Sequence, residues 1–570
     1  MAATSPPTRP SVVATGFIRA PSPGPSHVYM TLSRRRRASP RWRPPRCSRD
    51  GKPAAKDMVE DETPREPMPE TKNEPEEDLQ KGDGILGWLR FDSVAADIIS
   101  IAAPAVLALA ANPITALVDT AFVGHIGSAE LAAVGASVAV FNLVSKLFNV
   151  PLLNVTTSFV AEQQAVDADG SRTRGRDEFS TPQEKSSEQR KILPAVSTSL
   201  TLAAGIGLLE MVALIVGSGT LVNVIGIPVV LEFPDFHLCF GTHCVLFMFF
   251  HPTTLSGHKS FYLLPKQDSP MRTPAEQFLS LRAYGAPPII VALAAQGAFR
   301  GFLDTKTPLY AVGAGNLLNA VLDAVLIFPL GLGVSGAALA TVTSEYLTAF
   351  ILLWKLNDEV ELFSWNTIGG DGIMRYLKSG GLLICRTVAV FLTFTLSTSL
   401  ATREGPVPMA GYEICLQVWL TISLLNDALA LAGQALLASE YAKGNYKQAR
   451  KVLYRVLQVG GVTGIALAAS LFAGFGSLSS LFTDDPAVLD IARSGVWFVT
   501  ISQPVNAIAF VADGLYYGVS DFAYAAYSTL LAGAISSIFL LVAAPKFGLG
   551  GIWAGLTLFM SLRAIAGFWR

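Results

Sequence analysis

Charge is what this chain is short of. Lys, Arg, Asp and Glu make up 15% of its 570 residues against 51% hydrophobic residues, and the formal net charge is −1. A soluble chain of this length would need amphipathic elements around several cores. Here long uncharged stretches recur instead, each near the ~20 residues that a spanning helix needs. The net charge itself says little about partners, because in a membrane protein what matters is where the charge lies. Cysteine is equally sparse: Cys47, Cys239, Cys244, Cys385 and Cys415 are scattered and imply no disulfide framework. No nucleophile–base or metal-ligand set recurs in the apolar stretches, which argues against an enzyme and against a bound cofactor. Gly205 and Gly207, or Gly313 and Gly315, sit in apolar runs as close-packing positions rather than phosphate loops.

Acidic residues are missing altogether before Asp50, while Arg34 to Arg37 form a basic run among Ser, Pro and Ala. An organelle transit peptide has that composition, and a plastid address is the preferred reading over a basic cytosolic tail. From Asp57 to Asp83 acidic residues and prolines dominate, as in Glu74, Glu76, Glu77 and Asp78. Residues 1–83 are therefore expected to form a leader and a solvated linker, with no core.

From residue 84 onward the chain reads as an all-α polytopic membrane protein. The hydropathy pattern predicts twelve spanning helices, at about 97–124, 131–165, 192–216, 275–300, 308–330, 334–356, 376–401, 409–441, 449–474, 488–517, 523–545 and 551–569. Lys and Arg collect in alternate connections: Arg172, Arg174, Arg176, Lys185, Arg190 and Lys191, then Lys306, then Lys355 and Arg375, then Lys443, Lys447, Arg450 and Lys451. Both chain ends therefore lie on one basic side of the membrane.

Against this apolar background a few polar groups stand out. Asp119 lies in the run from Ile98 to Val123, and Asp323 in the run from Leu309 to Leu330. An ionised group in a bilayer costs roughly 2.5 to 3.5 kcal/mol on insertion scales, so such acids usually face a cavity and bind an ion, a proton or a substrate. Loss of hydration also disfavours a carboxylate's charged form, which lets it load and unload a proton. Asn319 and Asp323, four apart, share a helix face and could meet Asp119 across the first bundle. Arg386, Asn426, Asp427, Asn506 and Asp513 are intramembrane polar groups of the second half and, with Gln296, are candidates to line a substrate cavity. Arg386 there could meet an organic anion or pair with a nearby carboxylate. Arg300, Asp304 and Lys306 are expected in a basic-side loop that helps lock one conformer. Each has a plainer alternative: interhelical hydrogen bonding for the acids and amides, solvated anchoring for the basic loop.

An internal repeat is the most specific pattern. Gln296-Gly297-Ala298-Phe299-Arg300-Gly301-Phe302-Leu303-Asp304 returns as Asp513-Gly514-Leu515-Tyr516-Tyr517-Gly518-Val519-Ser520-Asp521, and Gly331-Leu332-Gly333 returns as Gly548-Leu549-Gly550, all displaced by 217. Two six-helix lobes are implied, the first in 84–357, a linker at 358–375 and the second in 376–570. An even helix number gives both lobes one orientation, with the relating axis along the membrane normal and a cavity between them. Gly217-Ser218-Gly219 matches Gly474-Phe475-Gly476 at a displacement of 257, so about 229–267 is an insertion of 40 residues in the first half. It holds His237, Cys239, His243 and Cys244, but without a helical or hairpin period the pattern is discounted as a metal site.

Leu117-Val118-Asp119-Thr120-Ala121-Phe122-Val123-Gly124-His125-Ile126-Gly127, Glu130-Leu131-Ala132-Ala133-Val134-Gly135, Thr157-Ser158-Phe159-Val160-Ala161-Glu162 and the two repeat segments resemble the multidrug and toxic compound extrusion transporters, most nearly the plant DETOXIFICATION proteins of the chloroplast type. The resemblance runs from about Asp92 to Arg570 except for the insertion. It implies twelve helices in two lobes, alternating access, and export of an organic solute, an organic anion such as citrate or a xenobiotic, against H+ or Na+. It assigns Asp119, Asn319 and Asp323 to a cation or proton site in the first lobe, with Pro104 and Pro113 as points where the first helix bends. The expected partners are a small organic solute and the lipid bilayer, with no nucleic acid, and the expected state is a monomer in a chloroplast membrane or, alternatively, the plasma membrane. A channel would need a continuous polar pore, and a lipid or oligosaccharide flippase more cationic residues along the cavity.

Overall fold

The computed structural model describes residues 92–177, 192–225, 272–362 and 369–570, other than 481 and 484. The leader and linker expected at 1–83 and the insertion expected at 229–267 lie outside the described residues. Everything described is helix or short connection: α1 (Ser93–Gly124), α2 (Ser128–Asp177), α3 (Pro194–Ile225), α4 (Arg272–Ala283), α5 (Ala286–Gly301), α6 (Lys306–Ile327), α7 (Gly333–Glu359), α8 (Gly370–Thr402), α9 (Pro406–Ala442), α10 (Tyr446–Ser479), α11 (Pro486–Gly518), α12 (Phe522–Phe547) and α13 (Leu549–Trp569). A helix satisfies its own backbone groups, the only option for an isolated segment in hydrocarbon. The ends are closed by side chains where they meet water. Asp92 accepts from the Ala95 amide at 3.0 Å, Asp304 from Lys306 and Thr307, Asp485 from Ala487, and Asp521 from Tyr524.

Eleven of these helices are long and apolar enough to cross a membrane, and α4 with α5, bent by 45°, can form a twelfth, broken span. The unbroken helix expected at 275–300 is therefore corrected: it stops at Tyr284 and Gly285 and restarts. Pro287 and Pro288 are the cause. A proline inside a helix lacks the amide needed for the preceding turn, yet is well placed in the first turn of a new one.

The repeat is visible in packing and in backbone. In the first half α2 and α3 pack on α5, α6 on α7, and α1 on α6; in the second half α9 and α10 pack on α11, α12 on α13, and α8 on α12. Gly297 and Gly301 let α5 sit directly on α2, where an added Cβ would meet the Leu153 carbonyl at 2.9 Å or Val160 at 2.9 Å. Their repeat mates Gly514 and Gly518 do the same for α11 on α9, against the carbonyls of Ala430 and Gln434. Gly331 and Gly548, also 217 apart, both take positive φ, 63° and 55°.

Between the halves, α1 packs on α9 and α2 on α8, contacts that the repeat makes equivalent. Phe159 of α2 meets Tyr376 of α8 and Phe522 of α12 edge-on, with ring centroids 4.8 and 5.9 Å apart. Polar bonds follow the same seam. Ser158 donates to the Tyr517 carbonyl at 2.7 Å, Gln434 donates to the Asn154 carbonyl and to Ser158, both at 2.8 Å, and Arg375 pairs with Glu162 at 2.7 Å. At the start of α1, Arg455 of α10 binds Asp92 at 2.8 Å. These bonds sit toward the ends of the helices that carry the basic loops.

Candidate coupling and substrate sites

Helix α1 carries Asp119 on its far half. It stands 27 residues past Asp92, about 40 Å along the axis at 1.5 Å per residue. Between the two lie Pro104 and Pro113, which remove the amides that would have bonded the carbonyls of Ser100 and Leu109. Asp119 is half-buried, and its carboxyl is close enough to that of Asp323 on α6 for a direct hydrogen bond. Asn319, one turn before Asp323, donates from Nδ2 to Asp323 Oδ2 at 3.2 Å. Asn319 and Asp323 are both fully buried. The structure thus brings together the three residues that the sequence singles out in the first half.

What these groups lack is informative. Asp119 Oδ1, Asn319 Oδ1 and Asp323 Oδ1 are all buried oxygens with no hydrogen-bond donor. Buried acceptors are nearly always satisfied, and an unsatisfied set that holds only oxygens has the composition of a hard-cation or proton site.

Sequence reasoning missed a second layer beside it. Arg282, at the end of α4, binds Glu345 of α7 with both guanidinium arms, at 2.5 and 2.6 Å, and stacks 4.2 Å above the Phe141 ring of α2. Glu210 of α3 accepts from Ser145 of α2 through one oxygen, and its other oxygen is buried without a partner. Arg282 lies within charge range of Asp119 and Glu210 as well. Three carboxyls of the first lobe, Glu345, Asp119 and Glu210, therefore share a single guanidinium, and Asp323 joins them through Asp119.

The polarity of the second half is opposite. Asp513 of α11 accepts through one oxygen from both Arg386 of α8 and Arg563 of α13. Arg386 lies 5.7 Å from the Tyr517 ring centre, and Arg563 is stacked near Phe510 and Phe559. Asp427 of α9 is within charge range of both arginines and of Arg300, which comes from the first lobe. Three guanidiniums thus meet two carboxyls where the lobes join, and Arg386 Nε, Arg563 Nε and Arg300 Nη1 have no acceptor. Arg563 is the member that no sequence pattern singles out.

Two expectations change. Arg300 is not part of an exposed loop: it is buried in the last turn of α5, while Asp304 is taken up in capping α6 and Lys306 is exposed. Of the three, only Asp304 lies in the connection between α5 and α6. Asn506 is fully buried within the second lobe, bonded to Ser502 at 3.3 Å, and lines a cavity of about 10 Å³ with Phe394, Trp419, Trp553 and Met560. That is room for about one water, and neither Arg386 nor Asp513 lines it. Asn426 is fully buried with both side-chain atoms unpartnered, and Gln296 is buried on α5 one turn before Arg300.

Comparison with known proteins agrees with this architecture. The MatE family model matches residues 238–325 and 383–542. The chain is 56% identical over 560 residues to the chloroplastic protein DETOXIFICATION 44 of Arabidopsis thaliana, covering 98% of this chain and 96% of that one. It is 44% identical to the chloroplastic DETOXIFICATION 45 of the same plant over 85% of this chain and 79% of that one. Among solved structures it is similar to a crystal structure of MATE in the bent conformation, with TM-score 0.67 and 18% identity over 86% of this chain and 97% of the other. An outward-facing multidrug resistance MATE transporter gives TM-score 0.65, also at 18% identity, with the same coverage. At that identity the structural likeness speaks for the fold alone.

Proposed function

The chain belongs to the MatE family of multidrug and toxic compound extrusion transporters, and from that premise we propose that it exports an organic anion by exchange for H+ or Na+ bound at Asp119, Asn319 and Asp323. It is a multi-pass membrane transporter that acts on small organic solutes, not an enzyme. The observation that carries the finer reading is the opposite polarity of the two halves. Buried oxygens without donors in the first lobe suit a cation, and an excess of guanidinium at the junction suits a carboxylate-bearing solute such as citrate.

Coupling works through α1. The helix is tied to α10 at Asp92 and carries the cation carboxyl some 40 Å away, with two proline breaks in the ladder between. Two carboxyls in contact and largely out of water repel one another, and one bound cation removes that repulsion. Its arrival draws Asp119 toward α6 and bends α1 at Pro104 or Pro113. The bend changes the space between the lobes and so the affinity for solute. The direction of work follows from linkage: a cation that favours one state of α1 can only drive the solute by its difference in affinity between states. The scheme as proposed uses no further cofactor and is written for a monomer. A plastid membrane fits the basic, acid-free leader and the chloroplastic location that the two plant relatives' names state.

The test is transport by the full chain in proteoliposomes under an imposed pH or Na+ gradient, with labelled citrate and a cationic dye offered in parallel. Gradient-driven citrate movement with little dye movement is the expected result. Dye movement without citrate would overturn the anion assignment, and movement of either solute without a gradient would overturn the exchange scheme.

A further inference from the structure

We propose that the Arg282–Glu345 ion pair sets the cation affinity of the Asp119–Asn319–Asp323 site, with Arg282 as a positioning residue whose charge is divided between Glu345 and that site. This role rests on the coupling reading of the three residues and adds a component to it.

The geometry is specific. Arg282 occupies the last turn before the break between α4 and α5, in the middle of a span, where a lone guanidinium would be costly. It is held there by two parallel bonds to Glu345 and by the face of Phe141. Gly285 makes the seat: a Cβ at this position would run into Arg282 Nη1 and Glu345 Oε2. The ion pair therefore lies directly on the backbone of the break, where a side chain at position 285 would displace the tips of Arg282 and Glu345.

The pair does not stand alone. Helix α4 packs against α2, α3 and α7. From α3 comes Glu210, with one unpartnered buried oxygen, and from α7 Glu345 itself. On α2, Phe141 and Ser145 face inward while Lys146 is exposed; Tyr346 on α7 is likewise exposed, and Glu276 of α4 is half-buried. Asp119, paired with Asp323, completes the set, within charge range of both Arg282 and Glu345. Among the described residues Arg282 is thus the one inward cation recorded against the acids Asp119, Glu210 and Glu345, and it reaches Asp323 only through Asp119. Bound closely to Glu345 it cancels one acid and leaves the aspartates free to take a cation. Were Glu345 neutral, the same guanidinium would satisfy Asp119 and compete with that cation.

Opposite consequences are expected for the two halves of one ion pair, a signature that loss of packing does not produce. The measurement is the concentration of H+, or of Na+ at fixed pH, that half-saturates solute exchange by the full-length protein in proteoliposomes. Arg282→Gln leaves the acids less compensated, so half-saturation falls about tenfold. Glu345→Gln frees the guanidinium, so it rises about tenfold. The double variant Arg282→Gln/Glu345→Gln and the conservative Arg282→Lys stay within about threefold of the parent. Should either single variant fail to fold because it leaves a buried charge unpaired, Glu210→Gln breaks no ion pair and removes one acid; it is expected to raise half-saturation about threefold. Shifts of both single variants in the same direction, or lowered rates at unchanged half-saturation, overturn the inference, as does an unmoved Glu210→Gln.

Asp119→Asn separates this idea from its premise. If that variant keeps normal cation dependence, the coupling reading itself fails. If it loses cation dependence while Arg282→Gln and Glu345→Gln show no opposed shifts, the coupling site stands and only the role of the ion pair falls.

Discussion

Leu303 and Ser520, 217 residues apart, share one unusual backbone: among the described residues they are the non-glycine positions with positive φ, 64° and 57°. Each lies just past the last turn of a helix that ends in one copy of the repeat segment. The amides one residue later, Asp304 and Asp521, reach back to the carbonyls of Phe299 and Tyr516, both at 2.9 Å. A left-handed turn that closes a helix is ordinarily glycine's place, since a side chain there costs roughly 1–2 kcal/mol. Ser520→Gly is expected to raise the melting temperature in detergent, a gain of up to about 1 kcal/mol. Leu303→Gly is expected to gain nothing, because Leu303 packs against the core that contains Val94, Ile98 and Ile101.

The glycines of the repeat give a second, independent test. Gly514→Ala would push a methyl group into the Ala430 carbonyl and separate α11 from α9, at about 1–3 kcal/mol. Gly313, expected from the sequence to be a close-packing position, meets open space instead, so Gly313→Ala is expected to be neutral or stabilising by roughly 0.5–1 kcal/mol. Thermal stability in one detergent compares the two directly.

Asp513 holds two arginines, so its loss exposes both. Asp513→Asn is expected to destabilise the second lobe by about 3–5 kcal/mol, the cost of leaving buried guanidinium unpaired. Arg563→Gln leaves the Arg386–Asp513 pair intact and should cost less. If the cluster recognises an organic anion, Arg386→Gln raises the KM for that anion while uptake of a neutral solute is unchanged.

The tie between Asp92 and Arg455 fixes what pH can do at the basic side. The hydrogen bond from Arg455 holds the Asp92 carboxyl below the usual carboxylate range. A depressed acid contributes stability that is present above its unfolded value, near 3.9, and is lost as pH falls through its folded value. Asp92 is half exposed, so the contribution is at most a few tenths of a kcal/mol. The pH dependence of transport between about pH 5 and 8 should therefore be the same in Asp92→Asn as in the parent, measured over that range in proteoliposomes.

Much of this architecture is legible in the chain. Apolar runs bounded by polar loops locate eleven spans, most ends to within about six residues, because hydrocarbon imposes one periodicity; α2 and α3 run on past the expected 165 and 216 to Asp177 and Ile225, since a helix can continue beyond the apolar run. The repeat is legible because close packing at Gly297, Gly301, Gly514 and Gly518 tolerates little else. Asp119 and Asp323 stand out as acids in apolar surroundings, and Asn319 follows from its spacing. By the same logic Glu210, an acid within Leu208-Leu209-Glu210-Met211-Val212, carries a signal that could have found it. The break at Gly285 also left a sign in Pro287 and Pro288, masked by the unbroken hydropathy around it. Arg282 with Glu345, and Arg563 with Asp513, are different: partners 63 and 50 residues apart become a site only when the helices pack. No local pattern specifies them.

One experiment bears most directly on the claim that Asp119 and Asp323 hold the ion that drives export. Solute efflux from proteoliposomes is followed under an imposed inward H+ or Na+ gradient for the parent chain, Asp119→Asn and Asp323→Asn. Each variant is expected to bind solute yet lose at least about 90% of gradient-driven efflux, since the removed carboxylate is the group that discriminates the cation-bound from the empty state. Efflux that responds to the gradient as steeply in both variants as in the parent would contradict the assignment and the mechanism built on α1.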